Sequence, residues 1–303
     1  LIFRERYLIR ARQVNRFLWI PGMADINAST GLYCIFGDPV SHSLSPAMQN
    51  AAFRAGGINA VYLAFQPASI HAALDAMRAL PILGASVTIP FKSDIIPLLD
   101  DVDPLAADIG AVNTAVNRDG RITGYNTDGH GALEALRRAG ARPGGKRVLV
   151  LGNGGSARAV AFTLLAEGCT IIIAGRNPGR YMPLVEDLRR KDQSVDHALI
   201  NELSPSLMEA VDIIINTTSV GMAPDTGSSP LPGEFLAPHH TVFDIVYTPR
   251  DTALLVMARE KGCRLVYGSE MLLYQGARQF ELWTGKEAPL EEMRLALEDG
   301  AGR

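Results

Sequence analysis

Between residues 147 and 177 the chain reads RVLVLGNGGSARAVAFTLLAEGCTIIIAGRN, and this stretch restricts the possible folds more than any other. Its pattern is strand, glycine turn, helix, strand, which predicts one βαβ unit of the usual length. The turn, Gly152-Asn153-Gly154-Gly155-Ser156-Ala157, satisfies G-x-G-x-x-A. The first glycine permits a tight turn, and the second lets backbone approach a pyrophosphate. Ala157 lets the helix pack close to the sheet, and the helix start aims free N–H groups at the anion. An NAD site places an acid about 20 residues further on, to hold the ribose hydroxyls. Here the second strand ends AGRNPGR, with Arg176 and Arg180 and no acid. A guanidinium pairs with a 2′-phosphate that a carboxylate would repel, so the cofactor expected is NADP.

The surrounding sequence extends this pattern. LYCIFG (32–37), AVYLAFQ (60–66) and GASVT (84–88) read as strands, as do DIIIN (212–216), TVFDIVY (241–247) and CRLVYG (263–268). Between them lie helical segments. SPAMQNAAFRAGG (45–57) has Ser45 as a cap, Pro46 in its first turn and a glycine pair at its end. SIHAALDAMRAL (69–80) aligns Ile70, Ala73, Leu74, Met77 and Leu80 on one face. Asn-Arg-Asp-Gly at 117–120 reads as a hairpin turn. The class expected is therefore α/β, with parallel strands covered on both faces. A turn-rich link near 129–146 marks a boundary between two domains, the first beginning near residue 23 and ending at 128, the second starting at 129.

Composition narrows the function. Hydrophobic residues make up 47% of the 303 and charged ones 20%, enough for a sizeable core. A formal net charge of −3 supplies no basic excess for nucleic acid. No apolar stretch approaches the roughly 18 residues of a membrane span. The three cysteines are separated, and the histidines lack metal spacing, which points to a reducing, cytoplasmic setting with no metal. Residues 1–22 carry five arginines against one glutamate and read as a disordered or peripheral extension.

Hydride transfer to a carbonyl needs a group that protonates the forming alkoxide. Lys92 and Asp128 are the candidates: each stands where an apolar or turn-rich segment opens to a loop, outside any obvious surface helix. By spacing alone they are equally readable as a surface ion pair. His42 beside two serines suggests a Ser-His nucleophile, but adjacent residues rarely align so, and no oxyanion-hole motif accompanies it.

FGDPVSHSLSPAMQNAAF, SVTIPFK, GAVNT, NTDG, GNGGSARA, NTTSVGM, DIVYTP and GSEMLLYQGA occur in that order, and over about residues 31 to 300 the chain resembles the shikimate dehydrogenases. The resemblance implies an N-terminal α/β substrate-binding domain made of residues 23–128 with 268–303, a Rossmann-like NADP-binding domain at 129–267, and C-terminal helices that return to the first. It implies NADPH-dependent reduction of 3-dehydroshikimate to shikimate, with Lys92 and Asp128 as the catalytic pair. Ser43 and Ser45 would hold the substrate carboxylate, with Tyr247 helping, and Thr88, Asn113 and Gln275 the ring hydroxyls. Gly152, Asn153, Gly154, Gly155, Ser156, Arg176 and Arg180 would cradle NADP, with Ile245, Gly268 and Met271 beside the nicotinamide. Asn113 and Asp128 are also readable as Asx-turn residues, and Gln275 as an ordinary helical position. The alternatives are a quinate/shikimate dehydrogenase with relaxed NAD/NADP use and a non-catalytic NADP-binding regulator; under any of these readings the protein is expected to be a monomer or homodimer. Two departures stand out: Ser86 precedes Val-Thr where the family usually has Asn, and Gly175-Arg176-Asn177 replaces a frequent Asn-Arg-Thr.

Overall fold

The structure is a computed structural model that describes residues 26–301, so the extension expected at 1–22 lies outside the described residues. Two six-stranded sheets organise the described residues. The first lobe contains β1 (Gly31–Phe36), α1 (Ser45–Ala55), β2 (Ala60–Phe65), α2 (Ile70–Ala79), β3 (Ile82–Val87), β4 (Asp101–Val102), α3 (Pro104–Ile109), β5 (Thr114–Arg118) and β6 (Arg121–Tyr125). Its strand order is β2-β1-β3-β5-β6-β4. β1 runs parallel to β2 and β3, and β5 runs antiparallel to β3 and β6. The β5–β6 hairpin closes where the sequence predicts, through Asp119 (φ 53°) and Gly120 (φ 88°). Two successive positive φ values suit the twist of the joined strands.

α4 (Asp128–Arg138) then leads into the second lobe: β7 (Arg147–Leu151), α5 (Gly155–Ala166), β8 (Thr170–Gly175), α6 (Pro178–Arg189), β9 (Asp196–Leu199), α7 (Pro205–Glu209), β10 (Ile213–Asn216), β11 (Thr241–Asp244), α8 (Ala253–Glu260) and β12 (Arg264–Tyr267). This sheet has the order β9-β8-β7-β10-β11-β12, all parallel. Numbered along this lobe, the order is 3-2-1-4-5-6, the doubly wound dinucleotide arrangement whose switch point lies beside the first strand. β7 is that strand, and the glycine turn follows it.

Two local expectations need correction. Ser45 is the first residue of α1 rather than its cap; Leu44 holds the cap position, and the Ser43 hydroxyl accepts from the Ser45 amide at 3.2 Å. On α2, Ile70, Ala73, Leu74 and Met77 are buried, but Leu80 has left the helix and is 55% exposed. The helix ends one residue before it, so its side chain is released from the apolar face.

α9 (Gly268–Thr284) and α10 (Leu290–Ala301) return to the first lobe. Trp283 shows why the return is close: a Cβ at Gly84 of β3 would overlap its indole. Its Nε1–H donates to the Ala115 carbonyl at 3.0 Å, and its ring packs beside Tyr33 and Tyr62. α4 is pressed between the lobes. A Cβ at Gly131 would lie 2.7 Å from the Met271 carbonyl on α9, and one at Gly129 would collide with Thr163 Oγ1 on α5. Arg158 of α5 donates to the Ile109 carbonyl and pairs with Asp187, while Lys191 pairs with Asp108 at 2.9 Å. One apolar core accordingly runs from Phe53 and Tyr62 through Leu133 and Leu136 of α4 to Val160 and Ile173.

Candidate active site

Lys92 and Asp128 lie 36 positions apart in sequence, yet Lys92 Nζ donates to Asp128 Oδ2 at 2.5 Å. The turn after β3 carries the lysine, and its carbonyl accepts from the Val112 amide at 2.8 Å, which fixes the backbone behind it. Asp128 does not stand on a loop, as the sequence suggests; it is the first residue of α4 and is buried. A carboxylate at the positive end of a helix is electrostatically favourable. Its amide donates to Asn126 Oδ1 at 3.0 Å, an Asx turn that sets its entry angle.

Asn113 holds the other carboxylate oxygen. Its Nδ2 donates to Asp128 Oδ1 at 2.7 Å and to Thr127 Oγ1 at 3.0 Å, so both amide hydrogens are engaged. Its Oδ1 accepts from the Thr127 amide at 2.8 Å and the Thr114 hydroxyl at 2.7 Å. The side chain is 2% exposed. In this state it offers no spare donor to a ring hydroxyl and instead orients the carboxylate.

The pair opens onto a cavity of about 500 Å³ between the lobes. Ser43, Ser45, Thr88, Asn113, Tyr247 and Gln275 share its lining with Lys92 and Asp128. So do Ser156, Ile245, Gly268 and Met271 from the residues expected at the cofactor. That volume suits a small metabolite plus the end of a larger one. Ser43 and Ser45 stand at the start of α1, and Tyr247 is 36% exposed at the rim. Gln275 spends one amide hydrogen on its own helix, at the Leu272 carbonyl (2.9 Å).

Gly152, Asn153, Gly154 and Gly155 lie behind this cavity, at the end of β7. Gly152 has φ 122°, and a Cβ there would meet Thr217 Oγ1 at 2.7 Å, so only glycine serves. Nothing lies within 4 Å of a Cβ built on Gly154 or Gly155, and no side chain caps α5. An open cradle under uncapped N–H groups fits a pyrophosphate. Asn153 Nδ2 ties the turn to the Arg180 carbonyl at 3.0 Å. Arg176 and Arg180 are exposed, and among the described residues neither guanidinium has an ion-pair partner. The departure at Gly175 has a steric cause: a Cβ there would lie 2.8 Å from the buried Tyr181 ring. Asn177 caps α6, accepting from the Gly179 amide at 2.9 Å.

The sequence reading missed Asp244, although it lies within the DIVYTP motif. It is fully buried and accepts from Asn216 Nδ2 (2.9 Å), the Val246 amide (3.0 Å) and the Thr252 hydroxyl (2.7 Å). Burial raises its pKa, and these hydrogen bonds oppose the rise. It anchors the segment that carries Ile245 and Tyr247 to the cavity. Gln279 was missed as well. It lies four residues after Gln275 on α9, and that helical spacing was the signal that it shares the cavity-facing side.

Residues 35–115 match the family described as the shikimate dehydrogenase substrate binding domain, and residues 134–224 match shikimate / quinate 5-dehydrogenase. Residues 268–298 match the shikimate 5′-dehydrogenase C-terminal domain. A shikimate dehydrogenase (NADP(+)) of Moorella thermoacetica is 50% identical over 285 residues, covering 92% of this chain and 97% of that protein. A shikimate dehydrogenase solved with NADP+ superposes with a TM-score of 0.86 at 40% identity, covering 90% of this chain and 96% of that one. The Thermus thermophilus enzyme, solved with NADP(H) and shikimate, gives 0.81 at 35% identity, covering 89% and 100%.

Proposed function

The chain belongs to the shikimate dehydrogenase family, and from that premise we propose how its own residues interconvert 3-dehydroshikimate and shikimate. The observation that carries the reading is the Lys92–Asp128 pair at 2.5 Å, facing a cavity that Ser156 of the glycine turn also lines. NADPH, when bound, supplies the hydride. The Lys92 ammonium holds a proton for the C3 oxygen and delivers it as the carbonyl becomes an alkoxide. Asp128 aims the lysine through Oδ2, while Asn113 holds Oδ1. In the oxidising direction the same pair takes the hydroxyl proton. Ser43 and Ser45 hold the substrate carboxylate with Tyr247 beside them, and Thr88 and Gln275 contact ring hydroxyls. Ile245, Gly268 and Met271 exclude water from the nicotinamide side.

In this reading residues 23–128 with 268–303 are the substrate domain, and residues 129–267 hold NADP. Gly152 to Ser156 take the pyrophosphate, and Arg176 and Arg180 take the 2′-phosphate. No helix among the described residues is long and apolar enough to cross a membrane, and Cys34, Cys169 and Cys263 are free. Free thiols suit the cytoplasm.

The test is an absorbance assay of the purified protein, with shikimate and quinate each offered with NADP and NAD. Shikimate with NADP should give the highest kcat/KM, and Arg176→Ala should erode the NADP preference about tenfold or more while sparing the shikimate KM. Equal use of NAD, or faster oxidation of quinate, overturns the assignment.

A further inference from the structure

Behind the cavity a line of buried polar groups has a direction that can be worked out from one end. Gln279 is 1% exposed, and its Nε2 donates to the Asn113 backbone carbonyl (3.2 Å) and to Thr114 Oγ1 (3.0 Å). A backbone carbonyl only accepts, so the amide has one orientation, and its Oε1 faces Ser86. Ser86 Oγ lies 2.8 Å from that oxygen and must donate to it. Its single proton is then spent. Tyr62 Oη lies 2.6 Å from Ser86 Oγ and must in turn be the donor. Tyr62 is fully buried, which raises its pKa and keeps it protonated for that role.

A serine hydroxyl has one proton and two acceptor positions. Gln279 takes the proton and Tyr62 fills one acceptor position. Ser86 is 4% exposed and lines the cavity, together with Thr88, Asn113 and Gln275. The remaining acceptor position is the only hydrogen-bonding capacity it has left for the cleft. Toward the cleft this side chain therefore presents a group that solely accepts. Asn113 reinforces the effect, since both of its amide hydrogens are committed to Asp128 and Thr127.

We propose that Ser86 is a specificity-determining acceptor for one substrate ring hydroxyl, and that Gln279 and Tyr62 are positioning residues that fix its direction. The proposal rests on the shikimate dehydrogenase reading and deepens it. The cleft should favour a substrate that donates an O–H at that ring carbon over one that carries hydrogen or fluorine there.

The experiment first measures wild-type turnover of shikimate with NADP; failure there sinks the functional reading itself. With turnover established, shikimate analogues bearing hydrogen or fluorine in place of the 4-hydroxyl or the 5-hydroxyl are compared by KM and kcat. At one of the two carbons both replacements should raise KM about tenfold. Ser86→Ala should raise the shikimate KM by a similar factor with kcat within about twofold, and should remove the difference among the three substituents. Gln279→Met frees the serine proton to turn toward the cleft, so the gap between hydroxyl and fluorine should narrow. Tyr62→Phe leaves that proton on Gln279 and should keep the wild-type ranking, a contrast that loss of packing would not produce. Equal KM values for all three substituents at both carbons in the wild type overturn the proposal. So does a Ser86→Ala variant that keeps the wild-type ranking.

Discussion

Replacing Lys92 with alanine removes the proposed proton donor while leaving most of its surroundings in place. Asp128 loses the 2.5 Å bond at Oδ2 but keeps Asn113 on Oδ1 and the Asn126 turn beneath its amide. The carboxylate therefore stays close to its present position. The lysine and aspartate side chains are 21% and 10% exposed, so water reaches the pair and screens part of the lost attraction. A charged hydrogen bond of this kind contributes about 1.5–3 kcal/mol, and screening should hold the stability loss to the lower end. The kinetic loss should be larger. A positioned acid contributes about 10²–10⁴-fold, equivalent to roughly 2.7–5.4 kcal/mol of barrier at 1.36 kcal/mol per decade. Initial rates should show kcat falling by that factor. The shikimate KM should change less than about threefold if, as proposed, Ser43 and Ser45 and not Lys92 hold the carboxylate. The NADP KM should be unaltered, since Arg176, Arg180 and the glycine turn lie in the other lobe. With NADPH deuterated at the transferred position, the isotope effect on kcat should increase as chemistry becomes fully rate-limiting. A kcat within tenfold of wild type, or a loss confined to KM, would refute the role of Lys92 as the acid.

Gly129→Ala drives a Cβ into Thr163 Oγ1 and to 2.7 Å from the Ala159 carbonyl, so α4 must back away from α5. Overpacking of about 1–3 kcal/mol should lower Tm by several degrees, and kcat should fall because Asp128 moves with the helix; an unchanged Tm and kcat would contradict this. His240 is 1% exposed, with Nδ1 accepting from the Ala237 amide and Nε2 donating to the Met208 carbonyl. Burial lowers its pKa, His239 lowers it further, and the Met208 bond opposes the shift. With the folded pKa below the unfolded value of about 6.5, its contribution is present above that pH and is lost as pH falls through the folded pKa. Tm of the wild type should therefore decline between about pH 7 and 5, and the decline should be shallower in His240→Gln. Parallel slopes in the two proteins would rule the contribution out.

Five of the six strands of the second lobe were legible in the order of its residues, and the short edge strand β9 was not. A G-x-G-x-x-A turn between strand and helix, with a second strand after the helix, implies parallel pairing, because the crossover helix packs back on the sheet and brings that strand in beside the first. The arginines after β8 and the Asp-Gly hairpin were readable for the same reason: their meaning lies within a few residues of the motif. Lys92, Asp128 and Gln275 were also visible, but as candidates whose roles a solvated ion pair or an ordinary helical position would explain equally well. What the folded chain adds is proximity, because the contacts that support the proposed roles join distant segments. Lys92 and Asp128 meet across 36 positions, and Ser86 meets Gln279 across 193. α9 makes the second contact possible by folding back against β3, where Trp283 rests on Gly84. Local spacing holds no record of that return. Nor does it show that Asn113 spends its amide on Asp128, or which way the Ser86 proton points. Those facts follow from which acceptors burial brings within reach, and a buried donor takes whichever partner the packing supplies.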